Sequence, residues 1–198
     1  GRIERTPNDK ERARLKREGA EHVETVMGFP RYWDGDYWNF KIDEFIANNK
    51  FHLTKAKARR KGFSYKRGSQ AANTINLFPN VTVTLAADQL AYLTDKGATT
   101  FMAKKCLDHF EEHTFWRRGY ISEAIDDILL GYRVSTKGLK NFGWLSNLYS
   151  VAIGKNESAA VGKKAIEIDF EEAGKCPNLQ KALDVTLSNT ESGAISVG

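Results

Sequence analysis

Cysteine is nearly absent, with Cys106 and Cys176 the only two among 198 residues. Two thiols alone build neither a disulfide framework nor a zinc site, so a reducing compartment with both thiols free is the expectation. Proline is scarce, at four residues, and sixteen glycines fall without period, which excludes collagen-like and low-complexity chains. No window approaches the apolar length of a membrane span, and the opening Gly1-Arg2-Ile3-Glu4 has no apolar leader, so a soluble protein is expected. A first residue that is not methionine, and a last strand stopping at Gly198, suggest a piece of a longer chain.

The hydrophobic share of 41% belongs to a globular chain, and the length suggests one domain with a real core. Net charge is +5 and uneven. Seven cations and no acid fall between Lys55 and Arg67, two more than the whole net charge, so the rest of the chain stands at −2. A local basic cluster centred on a glycine suits a triphosphate at least as well as a DNA backbone.

That cluster, Lys55-Ala-Lys-Ala-Arg-Arg-Lys-Gly-Phe-Ser-Tyr-Lys66, resembles a phosphate-binding loop without its usual lysine. The familiar pattern is G-x-x-x-x-G-K-[ST] between a strand and a helix. Gly62 and Ser64 fill the second glycine and the hydroxyl position, Phe63 stands where the lysine belongs, and Lys57 where the first glycine belongs. Lys57 is the favoured replacement cation, with Arg60, Lys61 and Lys66 as alternatives.

Around the cluster the chain reads as a strand at Phe51 to Ala56, a helix from Ser64 to Leu77, a strand at Val81 to Ala86, and a helix that Asp88 can cap. That βαβ order implies a parallel sheet with helices on its faces. Upstream, Thr6 to Val26 reads as an exposed helical arm beginning near Asn8-Asp9 and ended by Gly28-Phe-Pro30. Arg31 to Trp38 is dense in aromatics around an Asp34-Gly35 turn signal, and core packing in a hairpin or helix start is expected. The sharper alternative is an aromatic wall for an adenine ring. Gly97 to Gly119 reads as helical; His109 and His113 are four apart but lack a Glu-x-x-His frame, so a solvated face is expected there. Ile128 to Ile153 reads as strands joined by glycine turns, a short antiparallel excursion.

Ile166, Ile168 and Phe170 alternate as a strand that ends in Glu171-Glu172, and Pro177-Asn178 opens a helix from Leu179 to Leu187. Gly193 to Gly198 reads as one more strand. Phosphoryl transfer to water needs an N–H cradle, a cation, a hydroxyl and a carboxylate for magnesium, and a second carboxylate for the water. The basic stretch supplies the first set. Acids at the carboxyl end of a strand supply the second, with Glu171 on the metal side, Glu172 as base, and Asp169 as rival metal-side acid. Alternation puts Asp169 and Glu171 on one face, Phe170 and Glu172 on the other.

Lys57-Ala-Arg-Arg-Lys-Gly-Phe-Ser-Tyr-Lys66, followed by Ile168-Asp-Phe-Glu-Glu-Ala-Gly174 and Pro177-Asn178, resembles the N-terminal ATPase half of the large terminase subunit of tailed bacteriophages. Many of its members carry a deviant Walker A of the form K-x-A/R-R-x-G-F/Y-S and a Walker B of D/E-E-A. The resemblance implies a P-loop NTPase of the additional-strand, catalytic-glutamate type: α/β, mainly parallel, with helices on both faces and a short antiparallel excursion. Residues 1–30 then read as the arm and 31–198 as the ATPase core. Implied cofactors are ATP and Mg2+. Lys57, Ala58, Arg59, Arg60, Lys61, Gly62, Phe63, Ser64, Tyr65 and Lys66 bind phosphate. Ser64 and Glu171 hold metal, and Glu172, Lys57 and Arg60 act in catalysis. Implied partners are double-stranded DNA, a portal protein, a small terminase subunit and further copies in a ring, in the host cytoplasm at a procapsid; no membrane is implied. The family's nuclease domain is not in this stretch. Val161 stands at the family arginine's place before Walker B, leaving Lys163 and Arg133 as substitutes for an arginine finger. The competing readings are a helicase-like translocase and a non-catalytic nucleic-acid-binding module using the basic cluster.

Overall fold

The computed structural model describes residues 3–20, 25–28, 34–49, 51–56, 62–113, 118–135, 139–154, 156–161, 164–187 and 194–197. The chain falls into two units, Gly1–Trp38 and Asn39–Gly198.

In the first unit, β1 (Ile3–Arg5) pairs antiparallel with β2 (Val26–Gly28). Between them lies α1 (Asp9–Arg17). Asn8 Oδ1 accepts from the Glu11 N–H at 2.8 Å and Glu11 Oε2 accepts from the Asn8 N–H at 2.8 Å, a reciprocal cap on two otherwise orphaned donors. None of its residues is buried, as expected of an arm. The helix is shorter than the arm foreseen, because Gly19 turns left-handed (φ +76°) and the Ala20 N–H folds back on Leu15 O at 2.8 Å.

The aromatic stretch runs into the start of a helix, α2 (Asp34–Asn49), one of the two forms expected. The core packing expected of it is not met at Tyr37 and Trp38; Arg31, Tyr32 and Trp33 lie outside the described residues. Asp34 and Gly35 are the helix's first residues rather than a turn, and Tyr37, Trp38, Ile42 and Phe45 are all exposed. Trp38, Ile42 and Phe45 share one side at helical spacing. Asn39 and Asp43 share another and both meet Lys55, while Asp36, one turn earlier, is buried.

The second unit continues through β3 (Leu53–Thr54), α3 (Phe63–Leu77), β4 (Thr82–Ala87), α4 (Ala91–Thr94) and α5 (Thr99–His113). Then come β5 (Tyr120–Ala124), β6 (Asp127–Leu130), β7 (Tyr132–Ser135), β8 (Leu139–Phe142), β9 (Asn147–Ala152), β10 (Glu167–Phe170), α6 (Leu179–Leu187) and β11 (Ala194–Val197). Seven strands form one sheet in the order β3-β11-β10-β4-β9-β6-β5. The first five run parallel; β6 and β5 add antiparallel pairs. So β9, foreseen inside the antiparallel excursion, is instead a parallel neighbour of β4, and the excursion is limited to β5, β6 and the separate β7–β8 pair. The strand β5 had no clear sequence signal.

Alternation along β4 builds a core on each face. Val83, Leu85 and Ala87 pack with Ala71, Ala72 and Ile75 of α3, Leu93 of α4 and Leu107 of α5. Ala86 turns the other way, toward Val151, Ile153, Ile168, Phe170 and Ala182 of α6. The foreseen Asp88 cap is absent, since α4 starts at an uncapped Leu90. The Asp88 carbonyl instead accepts from the Gly154 N–H at 3.1 Å, where a Cβ on Gly154 would sit 2.7 Å from Asp88 oxygens.

α3 and α5 meet at Gly68. A Cβ there would lie 2.7 Å from Thr99 O, 2.8 Å from Ala103 N and 2.9 Å from Met102 Cβ. Two of these are backbone atoms that cannot rotate away. Gly68→Ala should therefore destabilise the chain by about 1–3 kcal/mol, read as a lower urea midpoint. An unchanged midpoint would show that the two helices separate freely.

Candidate functional site

The turn from β3 into α3 starts from Lys55. Its ammonium donates to Asn39 Oδ1 at 3.1 Å, pairs with Asp43, and lies 5.2 Å from the centre of the Phe63 ring. Burial pushes this lysine's pKa down, and the bond to Asp43 works against that. Thus Phe63, the residue at the usual lysine position, packs against a cation from the far side of the turn. Lys57, Ala58, Arg59, Arg60 and Lys61 lie outside the described residues.

Gly62 stands immediately before α3 in the left-handed region (φ +68°, ψ +21°). A Cβ there would meet nothing within 4 Å among the described residues, so there the glycine serves the torsion rather than the space. The Lys66 N–H closes the first turn on Gly62 O at 3.2 Å. Ser64, Tyr65 and Lys66 all fall in that turn, and Gly62 at the cap position brings no side-chain cap. An uncapped start on a fifteen-residue helix is a natural seat for an anion.

Three residues after Ser64, Arg67 enters the interior. Its guanidinium pairs with Asp169 and Glu167 of β10 and donates through Nη1 to Gln70 Oε1 at 3.2 Å. Gln70 Nε2 in turn donates to Asp43 Oδ2 at 2.6 Å. One polar network therefore ties α2, the β3 exit, α3 and β10. Burial works against the Arg67 charge, but Asp169 and Glu167 overcome it and hold the group above its ordinary range. Burial pushes the Asp169 carboxyl up to about 7, against the pull of Arg67. Its Oδ1 has no hydrogen-bond partner. Two of the seven clustered cations, Lys55 and Arg67, are thus engaged in internal pairs and do not face a ligand.

The strand β10 ends at Phe170, but the ladder runs one residue further, because the Glu171 N–H donates to Ala86 O at 2.8 Å. Glu171 is buried, and its Oε1 accepts from Thr99 Oγ1 at 2.9 Å, at the first residue of α5. Glu172 is no longer on the strand. It sits in the left-handed region (φ +53°, ψ +38°) and opens a short 3-10 turn, Ala173–Lys175. Half-exposed, its Oε2 is 3.0 Å from Lys175 Nζ, and that ammonium lies 4.7 Å from the centre of the Tyr92 ring. A left-handed non-glycine residue costs energy, and such strain collects where a side chain must be aimed.

Topology brings the two stretches to one edge of the sheet. β3 and β10 both run parallel to β11, and α3 leaves β3 at its carboxyl end. One turn toward the start of α3 from Arg67 is Ser64, and two residues along from Asp169 is Glu171. The Arg67–Asp169 pair therefore sets α3 and β10 in register with Ser64 and Glu171 both displaced toward the carboxyl edge.

Arg67, Thr99 and Lys175 were not singled out from sequence. A signal existed for Arg67, since Glu167 and Asp169 alternate on one face of a short apolar strand and require an inward cation. Ile166, placed on that strand by alternation, lies before it and is 45% exposed. Among the described residues no group of three or more His, Cys, Asp or Glu is placed to hold a metal, which includes His109.

No protein-family model and no curated protein sequence matches this chain. Solved structures do. The large terminase ATPase domain of Thermus phage P74-26 superposes with a TM-score of 0.59 at 16% identity, over 98% of this chain and 70% of that one. A mutant of that domain gives the same values. The large terminase from a thermophilic bacteriophage gives a TM-score of 0.50 at 14% identity, over 76% of this chain and 34% of that one. The chain has the α/β fold of these phage large-terminase ATPase domains.

Removing the guanidinium in Arg67→Ala leaves two carboxylates on an apolar sheet face. The expected cost is about 3–5 kcal/mol at pH 8. Asp169 keeps its proton in the fold, up to about 7, where the unfolded carboxyl has lost it near 3.8, so stability from this group falls as pH rises between those values. Without Arg67 the folded carboxyl binds its proton more tightly still. The deficit of Arg67→Ala, measured by chemical denaturation, should therefore be smaller at pH 5 than at pH 8. An equal deficit at both would remove Asp169 from the explanation.

Proposed function

We propose that this chain is the ATP-hydrolysing motor domain of a DNA-packaging large terminase, a P-loop ATPase of the additional-strand, catalytic-glutamate type. One observation carries the reading: the uncapped start of α3 and the acids that end β10 lie at the same carboxyl edge, held in register by Arg67 and Asp169. The strand order supports the ATPase type, because β11 lies between β3 and β10 and is the additional strand. The fold shared with the Thermus phage large terminase ATPase domain supports the motor role.

In this reading Gly62 lets the backbone wrap the β- and γ-phosphates, and the N–H groups opening α3 face them. Lys57 supplies the cation that Phe63 does not, with Arg60 beside it. Ala58, Arg59, Lys61, Tyr65 and Lys66 complete the phosphate loop. Ser64 and Glu171 hold magnesium. A hydroxyl and a carboxylate are the hard oxygen donors that ion takes, and with nucleotide oxygens and water it needs no larger cluster. Bound there, the metal offsets charge on the β/γ oxygens. Thr99 fixes the Glu171 carboxylate. Asp169, the rival metal-side acid, is engaged with Arg67. Glu172, aimed by its left-handed backbone, orients and deprotonates the attacking water.

The wider role follows from the same reading: translocation of double-stranded DNA into a procapsid in the host cytoplasm, in a ring of copies, with a portal protein and a small terminase subunit. No helix of the described residues is long and apolar enough to cross a membrane. The alternative of a basic binding patch on the loop is weakened, since Lys55 and Arg67 are paired internally.

Steady-state hydrolysis and fluorescent-nucleotide binding test the assignment together. Glu172→Gln should lower turnover by about 10²–10⁴-fold and still bind ATP. Lys57→Ala should lose turnover with weakened binding. Undiminished hydrolysis in both variants would sink the site.

The strain at Glu172 gives a separate test. Glu172→Gly removes the left-handed penalty and should raise stability by about 1 kcal/mol while turnover is lost. A variant that is inactive and also less stable would mean that Glu172 holds the fold rather than the reaction.

A further inference from the structure

The pair β7–β8 is a two-stranded ribbon outside the main sheet. Leu130 ends β6, the Leu145 N–H returns to Leu130 O at 2.8 Å, and the Gly131 N–H donates to Gly119 O at 2.7 Å, so the ribbon leaves the sheet at the end of β6 beside β5. Gly131 (φ +142°) and Gly143 (φ +92°) form its base. A Cβ on the first would meet Phe142 O at 2.6 Å, and one on the second would meet the Tyr132 ring at 2.8 Å. The base is therefore closely packed.

Each face of the ribbon carries exposed side chains among the described residues. In the register, Arg133 faces Asn141 and lies on one face; Tyr132, Lys140 and Phe142 lie on the other. Tyr132, Arg133, Ser135, Lys140, Asn141 and Phe142 are all exposed. From Ile128 to Asn156 there is no Asp or Glu, while Arg133, Lys137, Lys140 and Lys155 are present. Lys137 and Lys155 lie outside the described residues. Because the ribbon precedes β9, and β9 runs parallel to β4 and so to β10, it lies at the amino edge of the sheet, opposite Glu171 and Glu172.

We propose that the β7–β8 ribbon enters a groove of duplex DNA, with Arg133 and Lys140 neutralising phosphates on opposite rails. Cations on both faces and no carboxylate match a site with phosphates on both sides. A two-stranded ribbon has the width that the major groove of B-form DNA admits, whereas that of an RNA duplex is too narrow. Tyr132 and Phe142 stack on each other, centroids 6.2 Å apart at 22°, so each gives one ring face to the other rather than to an unpaired base. This surface is independent of the nucleotide site, and its test needs no ATP.

The test is fluorescence anisotropy of a short random-sequence DNA duplex over a salt series, with the full chain and no nucleotide. Each phosphate contact contributes about 0.9 to the slope of log K against log salt. Arg133→Ala with Lys140→Ala should flatten that slope by about 2 and weaken binding equally for unrelated sequences. Lys16→Ala with Arg17→Ala, two exposed α1 cations, should leave it unchanged. Both double variants should keep the wild-type melting temperature. No duplex binding by the wild type at low salt, an unchanged slope in the ribbon variant, or equal losses on single-stranded DNA or duplex RNA would each overturn the proposal. So would Arg133→Ala that lowers ATP turnover with an unaltered salt slope, which would give that arginine to the hydrolysis of a neighbouring copy. Turnover that survives Glu172→Gln refutes the nucleotide site and leaves the ribbon result standing.

Discussion

The buried pairing of Arg67 with Asp169 and Glu167 is the constraint on which the rest of the second unit depends. It joins α3 to β10, elements separated by roughly a hundred residues of chain. A hydrophobic contact would allow sliding by a turn of helix or a residue of strand. A guanidinium shared between two carboxylates on one strand face allows little. Such a group contributes modestly to net stability against an apolar replacement, since desolvation offsets much of the attraction. Its contribution is register. The network carries that register outward through Gln70 and Asp43 to Lys55, and so to the entrance of the loop.

This pairing also explains where the sequence was legible and where it was not. Gly62, the α3 boundaries, the acid-tipped strand and the helix Leu179–Leu187 rest on local signals: a backbone torsion, helix and strand periodicity, and a proline stop. Arg67 carries no local mark that separates it from Arg59 or Arg60. Its burial is decided by carboxylates a hundred residues later, so charge counting placed it with the ligand-facing cations. The aromatic run near Trp38 misled for a related reason. Its helix turns Asn39 and Asp43 toward Lys55 and leaves Trp38, Ile42 and Phe45 exposed, an orientation that hydrophobicity alone does not give. β9 was misplaced because a continuous apolar strand looks alike in parallel and antiparallel surroundings; only its pairing with β4 distinguishes them.

Adjacent acids, Glu171 and Glu172, meet different environments. The first is buried, still bonded to the sheet through its N–H, and fixed by Thr99. The second has left the sheet in a left-handed turn and carries a carboxylate beside Lys175. Strict alternation would have put Glu172 on the face of Phe170. The turn instead moves it off both cores. A rigid carboxylate suits a structural or metal-side role, and a carboxylate on a strained turn suits one that must be aimed. Two neighbouring residues meet separate environments because the backbone changes region between them.

The sheet separates chemistry by edge. Strands that run parallel place their carboxyl ends together, and with them the start of α3, Glu171 and Glu172. The amino edge receives the connections entering β4, β9 and β10, and one of these is lengthened into the β7–β8 ribbon. A ribbon packed at a glycine base and joined directly to β9 is coupled through that strand to β4 and then β10. Two ladders therefore separate the ribbon's strand from β10. The buried Thr100–Ser150 hydroxyl pair, 2.6 Å between α5 and β9, adds a second link, since Thr99 beside it holds Glu171. Helix α5 thus bonds Glu171 and β9 from adjacent residues of its first turn, both near the carboxyl edge.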